Sequence, residues 1–323
     1  MSRKRSPRRT SGRPSRAWAL AVAILVVLAA LVYIIFAEEI AALRGRPPFS
    51  ALVRYFAKEP AEGTVEVHFI DVGQADSILI RSREGNVLID AGTTDTEGRL
   101  QLHLDRCGID RLDYFICTHP HDDHIGGADM ILDFFEVGTV ILPEAELDTY
   151  SWDRLDKKLA EHAVPVMHPM PGDALTLGEM EFLFLAPIGV SEDLNDMSIV
   201  TKLTVGEISF LFTGDAEEET ETELLVSFPP EVLDCDILKV GHHGAATSST
   251  AAFLEAVSPL AAVISVDADN EYGHPHDETL ARIAEAGIDT VLRTDALGTI
   301  VITTDGTAVQ IPAPGAASRR TDK

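Results

Sequence analysis

The 323-residue sequence has only three cysteines, Cys107, Cys117 and Cys235, and none forms a C-x-x-C pair. That excludes a regular cysteine framework. Cys117 and Cys235 sit in apolar runs, where a small buried hydrophobe is the ordinary reading; a single disulfide stays open. Positive charge is also scarce: 26 Lys and Arg stand against 52 Asp and Glu, for a net charge of −26. Seven of the basic residues lie within the first 16 positions, and subtracting that +7 leaves −33 on the rest. The chain therefore lacks the Lys/Arg footprint on which tight binding of long nucleic acid leans. Such a surface repels polyanions and membrane headgroups, yet a short phosphoester whose charge is met by a metal remains compatible with it. No internal repeat of tight identity is visible, and nothing in the sequence sets the oligomeric state.

One uncharged run stands out, residues 17–37, rich in Leu, Val, Ile and Ala. At about 1.5 Å per residue it matches the roughly 30 Å hydrocarbon core of a bilayer. The basic flank before it places the N-terminus in the cytoplasm and everything after Glu38 on the far side. A cleaved signal peptide competes, but its apolar region is about 7–15 residues and ends in a small-x-small site. This run is longer, and Ile35-Phe36-Ala37 lacks the required small residue, so an uncleaved signal-anchor is expected. The chain then divides into a basic cytoplasmic tail (1–16), a transmembrane helix (17–37), a connector (38–63), a folded extracytoplasmic domain (64–311) and a tail (312–323).

Within the domain, strands are expected at 64–72, 77–81, 86–89, 112–117 and 139–142, and helices at 99–106, 127–135 and 150–161. Residues 174–186 and 199–212 read as hairpins turning at Gly178 and Gly206. The second half alternates helix (217–225), strand (236–240), helix (251–256), strand (261–266) and helix (279–286), and closes with strands over 291–311. Two halves, each β-rich and then alternating, point to an α/β fold with two packed sheets and helices outside.

The densest chemistry is Thr118-His119-Pro120-His121-Asp122-Asp123-His124, three imidazoles and two carboxylates directly after an apolar strand. A strand end projects side chains into a crevice from a rigid base, and imidazole and carboxylate are the ligands Zn²⁺, Mn²⁺ and Fe prefer. Asp215 follows the strand ending Leu211-Phe212, with Gly214 permitting close approach; read alone, it serves equally well as a helix N-cap. Gly241-His242-His243-Gly244 repeats the pattern of strand, glycine and imidazoles, suggesting one ligand and one substrate-side neighbour. Tyr272-Gly273-His274-Pro275-His276 is a weaker loop pair. Asp71 and Asp90 are acceptors suited to orienting ligand histidines, while Asp76 is explained as well by a turn or cap.

Together these motifs resemble the metallo-β-lactamase superfamily, with His119, His121, Asp123 and His124 at the H-x-H-x-D-H positions, Asp215 at the bridging acid and His242-His243 at the late histidine motif. A narrower resemblance, over residues 64 to about 311, is to the C-terminal domain of ComEC-type competence proteins and their stand-alone relatives. It is carried by F-I-D-V-G-Q-A-D-S, L-I-D-A-G, T-H-P-H-D-D-H-I-G-G, Asn195-Asp196-Met197-Ser198, F-T-G-D, K-V-G-H-H-G and Y-G-H-P-H. The resemblance implies an αββα four-layer sandwich and a metal-dependent hydrolase. It implies metal ligands His119, His121, Asp123, His124, Asp215 and His243, and catalytic side chains Asp123, His242 and His274. One metal would rest on His119, His121 and Asp215, the other on Asp123, His124, Asp215 and one of His242 or His243. The superfamily's further ligand histidine has no counterpart here beyond His162 and His168; Asn195 or Ser198 takes its place, which leaves the first position weak or Mn²⁺-favouring. The multi-helix channel of the competence proteins is not part of this sequence, so a transport role does not follow.

The expected reaction is hydrolysis of a phosphodiester or other small phosphoester outside the cytoplasm. Two Zn²⁺ ions about 3.5–4 Å apart would share Asp215 and a hydroxide whose pKa falls toward about 7. His242 and His274 would contact phosphate or protonate the leaving oxygen, and Gly241 and Gly244 would let backbone amides approach the anion. Two alternatives are hydrolysis of a lactone, amide or thioester on the same site, and a metal-free, non-catalytic sensor.

Overall fold

The structure is a computed structural model, and it describes residues 24, 25, 27–29, 49–144, 149–189 and 191–312. The expected membrane span at 17–37 lies outside the described residues except for five helical positions. No helix among the described residues is long and apolar enough to cross a membrane. The chain divides into two units, 1–52 and 53–323, and the second carries the fold.

Two sheets form it. The first contains β1 (Val65–Phe69), β2 (Ile78–Arg81), β3 (Asn86–Ile89), β4 (Arg111–Ile116), β5 (Glu136–Ile141) and β6 (Val166–Met167). The second contains β7 (Ala174–Leu177), β8 (Met180–Ala186), β9 (Val200–Val205), β10 (Ile208–Phe212), β11 (Ile237–Lys239), β12 (Ala261–Ile264) and β13 (Thr290–Arg293). The last two strands, β14 (Ile300–Thr304) and β15 (Val309–Gln310), return to the first sheet, whose order is β15-β14-β1-β2-β3-β4-β5-β6. The order of the second is β13-β12-β11-β10-β9-β8-β7. The strands expected over 291–311 are thus split between sheets, with the helical turn Thr294–Leu297 between them. The two-residue β6 was also unforeseen. Pairing of β14 with β1 joins Ile300 to Phe69 and Thr304 to Val65; no local pattern encodes a contact that distant in sequence.

Alternation explains the layers. Val65, Val67 and Phe69 of β1 meet Phe182 and Phe184 of β8 and Phe210 and Phe212 of β10 in a core between the sheets. Removing one such ring, as in Phe182→Ala, would cost about 3–5 kcal/mol. The opposite faces are covered by helices. Leu100 and Leu104 of the helix Glu97–Arg106 pack on Leu79, Leu88 and Phe115 of the first sheet. Phe253 and Leu254 of Ala251–Val257 and Ile283 of Asp277–Glu285 pack on Leu238, Ala262 and Ile264 of the second. Helix, sheet, sheet, helix is the layering the sequence led us to expect. Strands β3, β4, β10, β11 and β12 end on one edge, and the segments leaving those ends carry the polar residues described next.

Candidate metal centre

Each cleft residue follows a buried strand. His119 comes after β4, and His121 leads into the helical turn Asp122–Ile125, which carries Asp123 and His124. Asp215 follows β10, where Gly214 has φ +53 and a Cβ would stand 3.0 Å from Ser198 Oγ. His242 and His243 follow β11 with φ of 44° and 52°. Two successive non-glycine residues in the left-handed region are strained, and such strain persists only where packing over-determines it.

The centre of the arrangement is the Asp215 carboxylate. Its Oδ2 faces four imidazole Nε2 atoms: His124 at 3.2 Å, His243 at 3.6 Å, His242 at 3.7 Å and His119 at 4.0 Å. His243 Nε2 also lies 3.4 Å from Asp123 Oδ2. One donor atom each from Asp123, His124, Asp215 and His243 falls within 4.8 Å of the others. On the other side, His119 Nε2 and His121 Nδ1 are 3.1 Å apart, close to the roughly 3.3 Å that two nitrogens keep on a tetrahedral ion with about 2.0–2.1 Å bonds.

The far nitrogen of each of the four rings facing Asp215 is held. His124 Nδ1 meets Asp90 Oδ2 at 2.7 Å, and His243 Nδ1 donates to the Ser265 carbonyl at 2.9 Å. His242 Nδ1 meets Glu217 Oε1 at 2.6 Å, while His119 Nδ1 lies 3.2 and 3.3 Å from the Thr118 and Ser198 hydroxyls. Orienting partners of this kind fix the ring and the tautomer of a metal ligand. The Nε2 atoms of His124 and His243 and the Oδ1 of Asp215 are buried and have no hydrogen-bond partner among the described residues. Orphaned buried polar atoms are costly, and the two Nε2 atoms converge on the Asp215 carboxylate. The residues present therefore fit a divalent cation.

Electrostatics point the same way. Burial pushes the Asp215 carboxyl up, but the charges of His124 and His243 outweigh that and hold it well below the usual carboxylate range. Burial lowers His124, yet Asp215, Asp90 and Asp123 raise it well above an ordinary imidazole. Without metal, an imidazolium meets the need for a cation. His242 is lowered by burial but raised on balance by Glu217 and Asp215. His274 is brought down to about 4 by partial burial and by His242, His243 and His276.

Several expectations are corrected. Asp71 orients no histidine; it accepts from the Gly73 amide at 3.3 Å. Asp76 does more than cap a turn: its Oδ2 pairs with the buried Lys239 ammonium at 2.6 Å, and its Oδ1 lies 3.7 Å from His243 Nδ1. Ser198 lies beneath the cleft, accepting from the Asp215 amide at 3.0 Å, whereas Asn195 lines it. A Cβ on Gly241 would come 2.7 Å from the Ala216 carbonyl, and Gly244 has φ +84 with a Cβ 2.6 Å from Pro275 Cβ, so both positions also require glycine for space or backbone conformation. His162 pairs with Asp133 and His168 with the Leu142 carbonyl, so neither supplies the missing ligand. His276 accepts from the Ala246 amide. Sequence reasoning missed Glu217, Gln74 and Lys239. Glu217 stands two residues from Asp215, and a lysine inside the apolar run Ile237–Val240 was a readable anomaly.

All three cysteines are free and buried, so no disulfide forms. The cleft has a volume of about 360 Å³, and its lining includes Gln74, Asn195, His242, Tyr272 and His274. A larger hollow of about 770 Å³ between Ala251 and Thr290 shares none of these residues.

Residues 70–268 match the family model of the metallo-β-lactamase superfamily. The chain belongs to that superfamily, and its class is that of a metal-dependent hydrolase. Among curated proteins it is 33% identical to ComE operon protein 3 of Bacillus subtilis over 254 residues, covering 73% of this chain and 32% of that protein. It is 30% identical to Competence protein ComA of Neisseria gonorrhoeae over 253 residues, covering 78% and 34%. The chain thus spans about a third of the length of these relatives. Among solved structures, the metallo-β-lactamase fold protein YhfI of Bacillus subtilis superposes with a TM-score of 0.53 at 14% identity, covering 75% of this chain and 99% of that one; this is a likeness of fold.

Proposed function

We propose that the cleft hydrolyses a phosphodiester, or a related small phosphoester, on a domain anchored outside the cytoplasm by residues 17–37. The observation that carries this reading is the lining: it brings imidazoles, carboxylates and amides together with no Lys or Arg among the described residues. A substrate anion there meets no fixed Lys or Arg charge. Asp123, His124, Asp215 and His243 would hold one divalent ion, and His119, His121 and Asp215 would hold another, as Zn²⁺ or Mn²⁺. Bound metal would supply Lewis acidity toward a phosphoryl oxygen and lower the pKa of water.

The chain's own residues divide the remaining work. Glu217 and Asp215 flank the two nitrogens of His242, an environment that favours its imidazolium and makes it the proton donor to the leaving oxygen. His274, beside Gln74 Nε2 at 3.3 Å and near three imidazoles, stays neutral and serves as a hydrogen-bonding contact. Asn195, with a buried and unpartnered Oδ1, lines the same wall. The competence-protein relatives support a nucleic-acid-type phosphodiester. The strongly acidic surface favours a short one, and transport by the whole relatives is not carried over.

The test is turnover by the purified full chain of a generic chromogenic phosphodiester and of a lactone or thioester, each with Zn²⁺ and with Mn²⁺. We expect metal-dependent phosphodiester cleavage that His119→Ala abolishes. Cleavage of the carbonyl substrates alone would replace this reading, and a protein that binds no transition metal would point to the sensor.

A further inference from the structure

His68, His103 and Cys107 gather on the outer face of the first sheet, and they share no residue with the cleft. Strand β1 sends Val65, Val67 and Phe69 into the core between the sheets, so Glu66 and His68 face the other way, toward the helix Glu97–Arg106. His103 lies in the last turn of that helix, and Cys107 caps it; the Cys107 amide donates to the His103 carbonyl at 3.0 Å. One helical turn therefore sets both side chains on the same face, opposite His68.

The three donor atoms form a tight triangle. His68 Nδ1 and His103 Nε2 are 3.0 Å apart, Cys107 Sγ is 3.6 Å from His103 Nε2, and it is 3.9 Å from His68 Nδ1. On a tetrahedral zinc ion, bonds of about 2.0–2.1 Å to nitrogen and about 2.3 Å to sulfur place nitrogens about 3.3 Å apart and nitrogen and sulfur about 3.6 Å apart. The observed triangle deviates from those separations by a few tenths of an ångström. His68 is 6% and Cys107 8% exposed, while His103 is half-buried and leaves the open corner toward solvent. Behind His68, Glu66 Oε2 stands 3.1 Å from Nε2 and is itself 3.7 Å from Arg81 Nε. A carboxylate on the far nitrogen is the usual support of a metal-ligating imidazole.

We propose that His68, His103 and Cys107 bind a transition-metal ion of the zinc class, as a site distinct from the cleft. Two imidazoles and one thiolate are borderline-soft donors and disfavour Mg²⁺ or Ca²⁺. The ion would clip the helix to β1, whose chain runs on into the loop bearing Gln74 and Asp76.

The test loads the metal-free full chain with Co²⁺ and reads thiolate-to-cobalt charge transfer in the near ultraviolet, together with bound metal per chain. We expect the band in the wild type, in His119→Ala and in Cys117→Ser. We expect its loss, with one metal equivalent, in Cys107→Ser and in His103→Gln, with far-ultraviolet circular dichroism unchanged. A wild type without the band, or a band that survives Cys107→Ser, would show only a hydrogen-bonded trio and overturn the site. Because the His119→Ala arm keeps the signal, failure here is separate from failure of the proposed hydrolase.

Discussion

The cleft and the outer His68/His103/Cys107 triangle gather similar donors by opposite means. In the cleft, loops leaving the ends of strands from both sheets bring His119, His124, Asp215 and His243 together, and two carboxylates supply the negative charge. In the triangle, one strand residue meets two residues of a single helix turn, and the charge would come from one thiolate. Strand-end loops tolerate strain: Asp90, His242 and His243 all have positive φ. The triangle uses only regular backbone up to the helix cap. What differs is therefore the freedom to orient donors, which the cleft has in surplus and spends on an orienting partner for each of the four rings facing Asp215.

The largest expected effect falls on the carboxylate common to the four imidazoles. Asp215→Asn should lower phosphodiester turnover by about 10³-fold, in line with several kcal/mol of metal-dependent stabilisation at about 1.4 kcal/mol per decade, while the near-ultraviolet cobalt band of the triangle persists. A variant that kept both turnover and full metal content would remove Asp215 from the centre.

Next comes the buried pair beneath the cleft. Asp76→Ala leaves the Lys239 ammonium, only 1% exposed, with the Val240 and Gly214 carbonyls but no counter-charge. Breaking such a pair costs about 3–5 kcal/mol, to be read from urea unfolding; a loss below about 1 kcal/mol would mean that water or a rearranged carbonyl replaces the carboxylate.

Asp90→Asn is milder. Asparagine tolerates the φ of +58° at this position and retains an acceptor for Thr118. It gives up the charge facing His124, so metal affinity of the cleft should drop about 10–100-fold, measured by competition with a chelator. Equal losses at the cleft and at the triangle would show a global effect instead.

The smallest effect concerns His274. In the metal-free chain its ring should titrate near 4, observable by NMR. Burial and neighbouring imidazoles disfavour its charged form, so the unfolded chain, near 6.5, takes up the proton first. Its contribution to stability is intact above about 6.5 and declines as pH falls through that range toward 4. His242→Gln removes one neighbour and should move the midpoint upward; an unmoved midpoint would strike His242 from the causes and leave burial, His243 and His276.

The legible and illegible parts of the cleft differ in a simple way. His119, His121, Asp123 and His124 are adjacent in sequence, and Asp215 and His242-His243 each follow an apolar strand, so local pattern exposed them. Glu217 and Asp76 act through distances that only packing sets, which is why a turn or cap explained Asp76 as well and Glu217 read only as the start of a helix. Asp71 failed for the converse reason: it has the same strand-then-acid form as Asp90, but its carboxylate accepts from the Gly73 amide and lines a separate hollow with Arg99 and Asp269.

The sequence by itself determined the layering, the acidic charge and most of the side chains that meet in the cleft, because alternation, composition and strand-end motifs are local properties. Tertiary structure decided which nitrogen of each histidine faces the cleft, which acid supports it, and that β14 closes the first sheet against β1. It alone brought His68 to His103 and Cys107, since a strand and a helix separated by two further strands meet only when the sheet's outer face is covered.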